Sequence, residues 1–124
     1  MRKILLLSIA LLTAVAIKAQ EVVRESYHYA THQSEQLYLD KYVVEDECQS
    51  PRPALIFAFG GGFVRGERDT DYYVSFFERM ARAGIVVVSI DYRLGLSSIP
   101  EGVGLVDMIG LLDNAVTIAV EDLY

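Results

Sequence analysis

From Phe59 to Gly66 the chain reads Phe-Gly-Gly-Gly-Phe-Val-Arg-Gly. Gly60, Gly61 and Gly62 leave three consecutive backbone units without side chains, and Gly66 follows four residues on. Bare N–H groups in such a loop can point at an anion, or at the oxyanion that develops when a carbonyl is attacked. A single glycine would be enough for a tight turn with positive φ. Three in a row point instead to close approach between backbone and ligand. Other chemistry-bearing residues are sparse. None of the serines from Ser26 to Ser98 stands in a Gly-x-Ser-x-Gly pattern. His28 and His32 both precede the glycines, in the segment YHYATHQ. A His-x3-His pair can bind metal from one helix face, but no acidic third ligand stands at suitable spacing, and the pair reads as solvated loop. Arg65 and Arg68 flank the glycines, where they could meet an acidic substrate group or simply solvate the loop. Glu67, Asp69 and Asp71 read as cap and surface charges rather than a catalytic dyad.

The elements that must hold this loop follow from periodicity. Gln36 to Glu45 (QLYLDKYVVE) predicts a strand, with Leu37, Leu39, Lys41 and Val43 on one side and Tyr38, Asp40, Tyr42 and Val44 on the other. The alternation is mixed, which suits a peripheral antiparallel strand. Asp46 to Pro53 is turn chemistry, because Pro51 and Pro53 cannot donate to a ladder. Ala54 to Phe59 is a short apolar run bounded by Pro and Gly, and predicts a buried strand. Asp69 or Thr70 then caps a helix over Asp71 to Ala83, whose Tyr73, Phe76, Phe77 and Met80 recur at helical spacing. Asp71 near its start and Arg79 and Arg82 near its end suit the helix dipole, and Gly84 supplies the stop.

Ile85 to Ile90 predicts a second buried strand, ending in Asp91-Tyr92-Arg93-Leu94. Two such strands joined by a helix imply parallel pairing through a right-handed crossover. The expected class is α/β, with antiparallel strands leading in. Leu96 to Gly104 reads as loop, Leu105 to Leu112 as a short helix, and Asn114 to Tyr124 as the opening of another helix.

Composition narrows the function. The 124 residues carry 11 Lys+Arg against 17 Asp+Glu, and 52% are hydrophobic. That is one domain at most, with enough apolar residues for a core. A net charge of −6 argues against nucleic acid, which requires a basic face. Cys48 is the single cysteine, so no disulfide can form within the chain. Residues 1–19 read as a secretory signal peptide. Arg2 and Lys3 precede an apolar run from Ile4 to Ile17, with small residues at Ala14, Ala16 and Ala19 for cleavage. Three basic residues and no acidic ones leave with it, so the net charge goes from −6 to −9. Residues 20–124 form the expected exported domain.

FAFGGGF, then a helix, then a strand ending IDYRL, resembles α/β-hydrolase carboxylesterases and lipases of the hormone-sensitive-lipase-like kind. The resemblance covers about Leu37 to Tyr124. It implies that the Gly61 and Gly62 amides form the oxyanion hole. Phe63 would be the aromatic residue on the binding side. Gly60, Asp91, Tyr92 and Arg93 would shape and brace the loop. Phe59 stands where that family has a histidine. The family's nucleophilic Ser, acid and His, in that order, have no counterpart here. The resemblance therefore implies the N-terminal fragment of an exported carboxylic-ester hydrolase, inactive alone and completed by the missing C-terminal part of the same domain. A small-molecule ester is the implied substrate. No metal, cofactor, nucleic-acid partner or stable membrane insertion after cleavage is expected.

Two other classes stay open. Gly60, Gly62 and Gly66 followed by Asp91 also fit a dinucleotide-binding strand–loop–helix unit, with Asp91 as the ribose acid. A non-catalytic exported binding protein would use the same glycines only as structure.

Overall fold

The computed structural model describes residues 20–45 and 50–124. The expected signal peptide and Cys48 lie outside the described residues. The elements are β1 (Val22–His32), β2 (Glu35–Val44), β3 (Ala54–Ala58), α1 (Asp71–Arg82), β4 (Val86–Ile90) and α2 (Leu105–Glu121). One mixed sheet runs in the order β1-β2-β4-β3. β1 and β4 both pair antiparallel with β2, while β3 and β4 are parallel. The α/β class, the antiparallel lead-in and the parallel β3–α1–β4 unit agree with the sequence reading.

β1 corrects that reading. The segment with His28 and His32 is a strand, not a solvated loop. Its sequence VVRESYHYATH mixes charges with half-buried positions, as an edge strand does, so no clean alternation marks it. The turn into β2 is equally unmarked. His32 pairs Glu35 across two residues, Gln33 and Ser34, at φ 50° and 73°. Positive φ at both positions is the hairpin geometry that Asn-Gly usually signals. Because β1 exists, β2 is not peripheral: it lies between β1 and β4 and is buried on both faces, with Leu37, Asp40 and Tyr42 almost wholly inaccessible.

The core lies between the sheet and α1. Phe77 is fully buried against Tyr42, Ala81 and Val87. Its ring sits 5.2 Å from Tyr42 and 5.0 Å from Phe57. Burying one such side chain stabilises the fold by about 1.5–3 kcal/mol. Tyr73 and Met80 join this face as their spacing predicts, but Phe76 stays exposed. Thr70 is the N-cap residue, in extended backbone and without a side-chain capping bond, and Gly84 takes the positive φ of a helix stop.

β3 is less buried than its apolar run suggests. Leu55 and Phe57 pack towards α1, but Ile56 is 69% exposed on the opposite face. An apolar run reports that a strand can be buried on both faces, and here only one is covered. α2 is also a correction, being one continuous helix rather than two. Asp113 and Asn114 interrupt the hydropathy but sit on the exposed side, leaving Ala115 and Ala119 to pack. No helix among the described residues is long and apolar enough to cross a membrane.

Candidate active site: the glycine loop and its braces

The loop leaves β3 through Phe59 and returns to α1 at Thr70. Gly61, Gly62 and Phe63 have φ of 151°, 64° and 62°, and Gly66 has 140°. Two glycines are demanded by space as well. A Cβ on Gly61 would lie 1.6 Å from the Arg65 carbonyl oxygen, and one on Gly66 would lie 2.3 Å from the Phe59 ring. The chain doubles back so closely that only glycine fits there. Gly60 is different: its φ is ordinary and the space around it is open.

Three carbonyls in the first half of this loop are occupied. The Val64 N–H donates to the Gly61 carbonyl at 3.2 Å, and the Leu96 N–H to the Phe63 carbonyl at 2.9 Å. The Tyr92 hydroxyl donates to the Phe59 carbonyl at 2.6 Å, and its ring stacks on Phe59 with centroids 4.5 Å apart. Phe63 meets the same ring edge-on at 6.1 Å. The Gly61 and Gly62 N–H groups, by contrast, have no acceptor among the described residues, and both glycines are exposed. Exposed donors on a braced backbone at the carboxyl end of a parallel strand can bind an oxyanion or another small anion.

The residues after β4 divide their tasks. Tyr92 touches the loop directly. Asp91 accepts from the Tyr38 N–H at 3.1 Å and from Arg68 at 2.7 Å. Arg93 points away from the loop, to the end of α2. Its Nε and Nη2 donate to Asp122 at 2.8 and 2.7 Å, and its N–H donates to the same carboxylate at 2.7 Å. It thus holds α2 to the end of β4, which in turn carries Tyr92.

The remaining sequence candidates do not converge. His28 shares a 2.8 Å hydrogen bond with Thr31 and meets the Tyr38 ring edge-on. His32 lies 3.7 Å from Asp122. Among the described residues, no group of three His, Cys, Asp or Glu could hold a metal ion. Arg65 is exposed beside the loop. Arg68 does not simply solvate the loop: it is engaged by Asp40 and Asp91. Asp69 is a salt-bridge partner, 2.8 Å from Arg24, whose hydrogen bond holds its carboxyl below the ordinary value. Two observations weigh against the dinucleotide reading. Asp91 Oδ2 is already engaged by the Tyr38 N–H and by Arg68, and Glu67 to Thr70 separate the last glycine from the start of α1.

Sequence reasoning missed Asp40. Its side chain is fully buried in β2 and accepts from Ser26, Arg24 and Arg68. An Asp between Leu39 and Tyr42 in an apolar strand is the available signal, since a buried carboxylate needs charged or hydrogen-bonding partners. Which arginines supply them is a matter of the tertiary fold.

Tyr29 yields a test of the junction between β1 and the end of β4. Its hydroxyl donates to the Asp91 carbonyl at 2.6 Å. Burial first, then the negative charges of Asp122 and Asp91, push its ionisation up to about 12 from 10.0. The fold therefore favours the neutral phenol. That contribution is complete below pH 10 and is lost as the pH climbs towards 12. Tyr29→Phe should flatten the loss of stability across that interval, read by denaturation midpoints at pH 9 to 12. An unchanged slope would show that Tyr29 is not held in this way.

With the glycine loop at the carboxyl edge of a parallel pair and an antiparallel hairpin leading in, the chain has an α/β-hydrolase fold in part. It is similar in structure to brefeldin A esterase, a bacterial homologue of human hormone sensitive lipase, with a TM-score of 0.52 at 20% identity over 73% of this chain and 25% of that one. It is also similar to vibralactone cyclase, with a TM-score of 0.50 at 19% identity over 82% and 29% of the two chains. In sequence it is 32% identical over 76 residues to a fumonisin B1 esterase from Sphingopyxis macrogoltabida, covering 61% of this chain and 14% of that protein. The chain therefore spans a quarter or less of the two esterases. No family model matches it.

Proposed function

We propose that this chain carries the oxyanion loop of an exported carboxylic-ester hydrolase. The nucleophilic Ser and the catalytic His come from chain outside the 124 residues. One observation carries the reading: the Gly61 and Gly62 amides are exposed and without acceptors among the described residues, on a loop braced through the carbonyls of Phe59, Gly61 and Phe63. Similarity in sequence to an esterase supports it, and the composition of residues 1–19 supports export.

The chemistry is acyl transfer. Ser attacks the ester carbonyl while His takes its proton. The carbonyl oxygen gains charge as the tetrahedral intermediate forms, and the Gly61 and Gly62 N–H groups stabilise it. His then returns the proton to the departing alkoxide, and water releases the acid by the same steps. Phe63, held against Tyr92, borders the site with an apolar surface. An oxyanion hole accelerates nothing unless a nucleophile attacks.

The test is p-nitrophenyl acetate hydrolysis by two proteins: the 124-residue chain and the product of its complete reading frame. The first should give no turnover above background and the second should turn over. Activity of the 124-residue chain that survives purification and disappears with a serine-reactive phosphonate would overturn the proposal.

A further inference from the structure

The loop is braced at its entrance by Tyr92 and at its apex by Leu96, yet both braces act before Val64. The limb that returns from Gly66 to α1 needs a separate hold, and Arg68 sits on it. The Ser89 hydroxyl, on β4, donates to the Arg68 carbonyl at 2.7 Å. The guanidinium then spans two carboxylates on different elements. Its Nε donates to Asp40 of β2 at 3.0 Å, and its Nη1 to Asp91 beyond β4 at 2.7 Å. Asp40 is fully buried and further held by Arg24 and Ser26, so this anchor point is itself fixed. The return limb reaches the oxyanion donors through its first residues: Gly66 packs against the Phe59 ring, and the carbonyl of Arg65 just before it lies against Gly61.

We propose that Arg68 is a positioning residue: its fork fastens the return limb of the glycine loop to β2 and β4, and so sets where the Gly61 and Gly62 amides point. A lysine would keep a positive charge beside Asp40, but a single ammonium cannot reproduce a planar fork across two carboxylates. The catalytic consequence rests on the hydrolase reading above, while the structural one does not.

Two variants and two readouts test it. Arg68→Lys keeps a cation next to the buried Asp40 and so protects folding, whereas Arg68→Met removes both contacts of the guanidinium and leaves only the Ser89 bond to the backbone carbonyl. The backbone order parameters of the Gly61 and Gly62 N–H vectors, from 15N relaxation, should fall from the rigid range of about 0.85 to below about 0.6 in both variants. In the complete gene product, kcat per folded molecule should fall by about 10²-fold, the scale of an ångström-sized misplacement, with KM within about twofold. A merely stabilising residue would lower the melting temperature and leave kcat of the folded fraction alone. If Arg68→Met does not fold, Arg68→Lys decides. Unchanged order parameters overturn the positioning role, and lowered order parameters with unchanged kcat overturn its bearing on catalysis. A wild-type gene product without ester turnover removes the hydrolase reading, and the order parameters then decide on Arg68 alone.

Discussion

Gly61→Ala should destroy the working geometry of the glycine loop, while Gly62→Ala should be mild. The contrast follows from where a Cβ would go. On Gly61 it would meet the Arg65 carbonyl oxygen at 1.6 Å and the carbonyl carbon at 2.7 Å. These are backbone atoms and cannot swing aside. Relief requires opening the turn that Val64 closes onto the Gly61 carbonyl. On Gly62 the same atom enters open space. There the cost is only that of an L-residue at φ 64°, about 1–2 kcal/mol. In the complete enzyme, Gly61→Ala should lower kcat by about 10²–10³, the loss expected for an oxyanion donor. Gly62→Ala should cost far less. Gly62→Pro should restore the large loss, because proline removes the N–H and fixes φ near −65° against the required 64°. A Gly61→Ala enzyme with wild-type kcat would show that these amides do not meet the oxyanion.

The largest stability effect is expected at Asp122. Its side chain is fully buried and accepts from the backbone and the guanidinium of Arg93, itself only 8% exposed. Asp122→Ala leaves a buried guanidinium and a buried N–H with no equivalent acceptor. Breaking such a pair costs about 3–5 kcal/mol, a large part of the roughly 5–15 kcal/mol that separates folded from unfolded chains. The exposed Arg82–Glu78 pair on α1 is the natural contrast, since it joins residues one helical turn apart in solvent. Arg82→Ala should cost about 0.5 kcal/mol or less. Urea midpoints of the two variants separate the cases. Equal midpoints would mean that the Arg93–Asp122 contact does not hold α2 to the sheet.

Much of the route to the site was legible in the residues. The run Ala54 to Phe59, the helical spacing of Tyr73, Phe77 and Met80, and the β-branched run before Asp91 each carry their own period, and together they place the glycines at a strand end. What stayed hidden has physical reasons. β1 is an edge strand whose charged and half-buried residues blur the alternation, and its hairpin turn uses Gln33 and Ser34 where glycine would have been a signal. The split of α2 came from Asp113 and Asn114, whose polarity marks an exposed face rather than a break. Arg68 is ambiguous in sequence because an arginine beside a glycine loop can equally meet solvent, substrate or protein. Only the fold brings Asp40, 28 residues earlier, and Asp91, 23 residues later, to its two ends. Gly61 and Gly66 were visible as glycines, but the close approach that demands them depends on how the loop doubles back.

The most direct measurement is covalent labelling with a fluorophosphonate, followed by peptide mass spectrometry, on the 124-residue chain and on the product of its complete reading frame. An oxyanion loop serving a serine hydrolase gives no labelled serine within the 124 residues. In the longer protein it gives one labelled serine, in Gly-x-Ser-x-Gly, whose labelling falls when Gly61 is replaced by Ala. A labelled serine among Ser26 to Ser98, or a complete protein that takes no label and hydrolyses no ester, would contradict the assignment.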